Sequence, residues 1–147
     1  MQVRKLDIMD GPESELKIFS KFLHDSLEHR KQGLASRVNG QAMSTAIQTG
    51  ALVALIAEED GKAIGMQLWE LVNNGIWFDT AFKVKNMRFQ FMLENSANKQ
   101  VEFLHHGINA MRQDTWQLLS SVHKDDQTFE VAKNCGLLSY GASYELN

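Results

Sequence analysis

Two largely apolar runs, Leu52 to Ala57 and Ala63 to Leu71, flank the charged turn Asp60-Gly61, and no other stretch constrains the fold so tightly. A two-residue Asp-Gly loop between such runs is the strongest short-range signal for a β-hairpin. Gly61 supplies the positive φ that the turn demands, while Glu58, Glu59, Asp60 and Lys62 keep the tip in water. This fixes an element of sheet and says nothing of activity.

The 147 residues, 44% of them hydrophobic, suffice for one core, so a single domain over 1–147 is expected. Net charge is −3 and no Lys/Arg block exceeds two residues, so the basic footprint of a nucleic-acid binder is missing. A single cysteine, Cys135, argues against an internal disulfide and a zinc cluster, and no metal is expected. Arg4, Lys5, Asp7 and Asp10 interrupt the start of the chain, and no apolar run approaches the roughly 18 residues of a membrane span. The expectation is a cytoplasmic protein, or one from a virion interior, with no membrane partner.

Val3, Leu6 and Ile8 alternate as a first strand does, and Asp10-Gly11-Pro12-Glu13 follows as a turn that starts a helix. Leu16, Phe19, Leu23 and Leu27 trace its apolar face to about Arg30. Gln41 to Thr49 is a short second helix that Gly50 stops. After the hairpin, Asn73-Asn74-Gly75 predicts a turn, and Ile76-Trp77-Phe78 opens a third meander strand reaching about Val84. From Lys83 to Leu93 two periods compete: Met87, Phe89, Phe91 and Leu93 alternate as in a strand, while Phe89, Met92 and Leu93 fit a helix face.

Asn98 caps a helix carrying Val101, Leu104, Ile108 and Met111 to about Arg112, and Trp116 to Val122 is a short buried strand. Asp125 or Asp126 caps a last helix through Asn134, stopped by Gly136, and Tyr140 to Leu146 closes the chain as a strand. The expected fold is α/β (α+β mixed), in the order β-α-α-β-β-β-α-β-α-β. A strand-helix-strand crossover near the end makes the sheet mixed, with about four helices around it.

The run Ala57-Glu58-Glu59-Asp60-Gly61-Lys62-Ala63-Ile64-Gly65 is similar to the second and third strands of the GNAT superfamily of N-acetyltransferases. There a charged turn leads to a glycine early in the third strand. Asn134-Cys135-Gly136-Leu137 resembles the end of that family's fourth helix, and the order of elements agrees over nearly the whole chain. Within the superfamily, Trp77-Phe78 and the Phe129 to Gly136 helix look most like the small GNAT-like internal virion proteins of short-tailed phages.

The resemblance implies transfer of an acetyl group from acetyl-CoA to an amine on a small molecule or a protein. It also implies a cleft where two central strands splay, with pantetheine pairing to the fourth strand. The family's pyrophosphate loop is Arg or Gln, two residues, Gly, one residue, then Gly or Ala, so that successive N–H groups cradle phosphate at a helix N-terminus. The corresponding segment is read as Val84 to Met92, which has no glycine. Lys83, Lys85, Arg88 and Lys99 offer charge in place of that geometry, and Phe82 and Val84 complete the expected cofactor-binding set.

The family's thiolate-protonating Tyr falls at Ala132 here, leaving Tyr140 or Tyr144 as the candidate acid. Asp79 and Glu70 are the best-placed carboxylates to take a proton from the amine, and each is also explained as a solvated strand residue. His123 follows a central strand, where α/β sheets place ligands, and also reads as an ordinary loop histidine. Glu102 with His105 has metal-ligand spacing without a second such pair, and Ser120-Ser121 lacks a hydrolase elbow. The stretch after Gly136 is shorter than the family's final hairpin, so the sheet is one strand short or completed by a second copy in a homodimer. Two functions follow: an acyltransferase, or a catalytically lapsed GNAT-fold binding or virion-associated protein.

Overall fold

The computed structural model describes residues 1–7, 13–28, 38–72, 83–115, 117–120 and 129–134. They form β1 (Gln2–Lys5), α1 (Glu13–Glu28), α2 (Gly40–Thr49), β2 (Leu52–Glu59), β3 (Lys62–Val72), β4 (Val84–Met92), a 3-10 segment (Glu94–Lys99), α3 (Gln100–Met111), β5 (Gln117–Ser120) and α4 (Phe129–Asn134). The sheet order is β1-β2-β3-β4-β5. Neighbours are antiparallel except β4 and β5, which are parallel, so the expected mixed α/β sheet is present. The expected closing strand, Tyr140 to Leu146, lies outside the described residues.

The β2–β3 hairpin closes on Glu59 and Lys62, with Asp60 at φ 51° and Gly61 at φ 75°. Two positive φ values in a two-residue loop match the right-handed twist of the flanking strands. Because this hairpin is central, its strands are covered on both faces. Ala54 and Ile56 of β2, Met66 and Leu68 of β3, and Phe89 and Phe91 of β4 pack with Phe19, Phe22 and Leu23 of α1. Leu55, Ala57, Trp69, Met87 and Met92 face the other way, onto Phe103, Leu104 and Met111 of α3 and Ala132 of α4. Each fully buried side chain of this size contributes roughly 1.5–3 kcal/mol, so the two clusters fix which face every strand residue takes.

Two expectations need correction. The third meander strand is Val84–Met92, pairing with β3 from Gly65↔Met92 to Val72↔Val84, so the segment read as a pyrophosphate loop is a strand. The proposed turn at Asn73-Asn74-Gly75 and strand from Ile76 lie outside the described residues. Val101, expected on the apolar face of the third helix, is 50% exposed, and the face turned inward is instead Gln100, Phe103, Leu104, Gly107 and Met111.

Candidate functional site

The pairing of β4 with β3 slips by one residue: Leu68 faces Phe89, but Trp69 faces Met87, leaving Arg88 without a counterpart. This is a bulge on β4. Such an extra residue bends its strand and increases the local twist, and bulges concentrate where a sheet must open or re-aim a side chain. On its other edge β4 pairs with β5 from Val84↔Gln117 to Met87↔Ser120 among the described residues, directly before the bulge. Phe89 and Phe91 belong to the α1 face, where Phe91 packs on Phe22 with ring centroids 6.0 Å apart, so neither occupies the α3 side of this junction.

Ser120 stands at that junction. It is 5% exposed, and its Oγ is buried with no hydrogen-bond partner among the described residues. A hydroxyl desolvated without a partner costs about 1–3 kcal/mol, which a bound polar group would recover.

Beneath α3 lies a chain of buried amides. Trp69 Nε1 donates to Gln67 Oε1 at 2.9 Å. Gln67 Nε2 donates to Gln90 Oε1 at 2.6 Å and to the Phe103 carbonyl at 2.9 Å. Gln90 Nε2 donates to the carbonyl and Oε1 of Gln100 at 2.9 and 2.6 Å. The chain ties the sheet to the first turn of α3 and so fixes where that helix begins. A polar residue inside an apolar run on each of two adjacent strands was the available sign of it.

The junction from β4 into α3 follows directly on Val84 to Met92, the segment read as the phosphate loop. It is a 3-10 segment in place of a glycine loop. Its amides are partly used internally, Ser96 N on the Leu93 carbonyl and Gln100 N on that of Ala97. Lys99 sits at the N-cap position of α3 but is ion-paired with Glu59, whose carboxyl it holds below its ordinary range by that hydrogen bond.

The other residues singled out from sequence are distributed as follows. Val84 is buried at the start of β4. Lys85 Nζ donates to the carbonyls of Met111 and Gln113 at 3.1 and 3.2 Å, capping the C-terminal end of α3. Burial, then repulsion from Lys83, pushes its pKa down against a pull from Asp114, with a lesser push from Lys5. Lys85 and Lys99 thus stand at opposite ends of a 12-residue helix, about 18 Å long, too far apart to share one pyrophosphate. Arg88 is not with Lys99 either. Its guanidinium lies 3.6 Å from the Glu70 carboxylate. Both side chains are about half exposed, so the pair is worth at most about 1 kcal/mol.

Glu70 and Arg88 line a cavity of about 440 Å³ between the sheet and α1 and α2, walled by Leu23, Leu27, Met43, Leu52, Leu68 and Phe89. Asp79, Phe82, Tyr140, Tyr144, His123 and Cys135 lie outside the described residues. Ala132 is 2% exposed in the α3 cluster. Among the described residues no three His, Cys, Asp or Glu side chains gather as metal ligands, and no helix is long and apolar enough to cross a membrane. Glu102 pairs with His106 at 3.9 Å, one position beyond the expected His105.

No protein-family model and no curated protein matches the sequence. Solved structures do match its fold. A protein from Clostridium acetobutylicum, described as a predicted acetyltransferase and solved with acetyl-CoA, superposes with a TM-score of 0.71 at 15% identity, covering 99% of this chain and 95% of that one. A ribosomal-protein-alanine N-acetyltransferase from Brucella melitensis gives 0.66 at 13% identity, covering 100% and 99%. An aminoglycoside acetyltransferase from an uncultured soil sample gives 0.67 at 12% identity, covering 99% and 97%. The chain shares the fold of these acetyltransferases, the GNAT fold.

Proposed function

We propose that this protein is an acyltransferase that moves the acetyl group of acetyl-CoA to an amine. The observation that carries this reading is the bulge at Arg88 beside Ser120, whose buried hydroxyl has no partner among the described residues, opposite Met87 in the parallel β4–β5 pair. Bound acetyl-CoA would supply an activated thioester. Ser120 would take a polar group of the pantetheine arm, and Lys99 with the first turn of α3 would face the phosphates.

Ser120, opposite Met87, is on the α3 face and Glu70 with Arg88 on the α1–α2 face, so the proposal takes the acyl end of the arm from the first toward the second. Glu70 accepts a proton from the incoming amine, directly or through water. Thermal melting with excess acetyl-CoA tests the reading: at about 100 times its dissociation constant the ligand adds about 2.7 kcal/mol, which is several degrees for a domain of this size. No shift at millimolar acetyl-CoA contradicts it. A second reading has one observation in its favour, the 3-10 segment without glycine and the Lys99–Glu59 pair where phosphates would dock. It makes the chain a lapsed GNAT-fold binding protein, virion-associated or not, and the same absence of a shift would favour it.

A further inference from the structure

We propose that the cavity under α1 and α2 binds a free α-amino acid with an apolar side chain, its carboxylate on Arg88 and its ammonium on Glu70. As the identity of the acetyl acceptor, this rests on the reading above; as a binding site, it stands on the cavity alone. The volume, about 440 Å³, falls in the range of small-molecule sites. Apart from Asn39 its remaining walls are aliphatic or, at Phe89, aromatic, and Glu70 and Arg88 are the only acid and the only base among its described lining residues. The two are 3.6 Å apart, beyond hydrogen-bonding range, so both retain donors and acceptors for a ligand.

That arrangement selects by charge. A polycationic amine would meet one carboxylate and a guanidinium beside it. A simple monoamine would satisfy Glu70 and be repelled by Arg88. A peptide N-terminus brings the ammonium but an amide where the carboxylate should be, leaving Arg88 unmatched. An α-amino acid carries both charges on one carbon, can lie antiparallel to the Glu70–Arg88 pair, and presents its carboxylate to the planar fork of an arginine. Its side chain then enters the space between Leu23, Leu27 and Met43 on one side and Leu52, Leu68 and Phe89 on the other.

In the transfer, the amino nitrogen forms a bond to the acetyl carbonyl carbon and the carbon–sulfur bond breaks. Of the two protons the ammonium gives up, one leaves through Glu70 to solvent and the other ends on the thiol. The products are an N-acetyl amino acid and CoA.

Isothermal titration of the full chain with L-leucine and L-methionine, without acyl donor, tests the site against leucinamide and the tripeptide Leu-Gly-Gly. The free amino acids are expected to bind at least tenfold tighter than either analogue. Arg88→Gln should weaken leucine by about ten- to a hundredfold, leave leucinamide unchanged, and be partly compensated in Arg88→Lys. Both side chains of the pair are half exposed, so these variants fold. Equal binding of leucine and leucinamide, indifference to Arg88→Gln, or no binding of any amino acid overturns the proposal. If acetyl-CoA still raises the melting temperature in that last case, the acyltransferase reading survives; if leucine binds and acetyl-CoA does not, the site survives and that reading fails.

Discussion

The carboxamide of Gln67 occupies the space that a β-carbon on Gly107 would need: an ideal Cβ there would lie 1.8 Å from Gln67 Oε1. Glycine in the third turn of α3 is therefore what lets the helix sit down on the buried amide chain. Gly107→Ala must push α3 off the sheet or displace Gln67 from Trp69 and Gln90, and a loss of about 1–3 kcal/mol is expected in urea denaturation. Adding Gln67→Ala should recover part of that loss, whereas independent losses would show no coupling. Gly40→Ala, where nothing lies within 4 Å, should change stability by less than about 1 kcal/mol.

Removing the middle of the chain should cost as much for a different reason. Gln90→Leu leaves Gln67 Nε2 with one acceptor fewer and deprives Gln100 of its donor, all in buried surroundings. About 1–3 kcal/mol should be lost, and an unchanged denaturation midpoint would show that the amides find other partners.

How far the sequence reveals this architecture depends on local chemistry. The Asp60-Gly61 hairpin was legible because its turn needs positive φ at successive positions and its strands bring apolar side chains to both faces. Gly50, with φ 82°, ends α2 as expected for the same reason. The fourth strand was obscured by its bulge. Met87 and Phe89 are two apart and would share a face of a regular strand, yet they point to opposite faces because Arg88 is inserted between them. A slipped period resembles a helical one, and the segment that is β4 was consequently read as a loop. The amide chain left only a weak sign in the sequence, because each glutamine, taken alone, looks like a solvated strand residue, and only the fold sets Gln67 beside Gln90. Glu70 and Arg88 were each singled out, but on different strands nothing in the spacing joined them.

Lys99 and Lys85 should behave differently. Lys99→Met, at the N-cap position of α3, is expected to weaken acetyl-CoA binding, and Lys85→Met, at the helix's other end, to leave it unchanged. Lys85→Met instead removes two carbonyl caps and should lower stability by about 0.5–1.5 kcal/mol. The reverse ranking in a titration would place the phosphates at the wrong end of α3.

The Lys99–Glu59 pair also sets a pH dependence. Because Lys99 holds the Glu59 carboxyl below its ordinary 4.5, the unfolded chain binds that proton more readily, and stability rises with pH through this window. The contribution is complete above the unfolded value and is lost as pH falls through the folded one. Lys99→Met should therefore be less stable than the parent at neutral pH and converge on it in acid, once the pH has fallen through the folded-state value. A difference independent of pH would mean that the two side chains are not coupled.

Ser120→Ala separates folding from binding. It removes a buried hydroxyl with no partner among the described residues, so stability should hold or rise by up to about 1 kcal/mol, while acetyl-CoA affinity falls about two- to tenfold. A matching loss of stability would show that the hydroxyl is already satisfied.

The central claim is that a thiol-carrier arm passes Ser120 and the bulge at Arg88, so that its binding is felt in the backbone of β4. Hydrogen exchange of peptides covering Arg88 to Met92, with and without acetyl-CoA, reads those backbone groups directly. Slower exchange there on binding, with little change in β1 and α2, is the predicted result. Acetyl-CoA that binds and protects some other part of the chain, leaving Arg88 to Met92 unaltered, would contradict it.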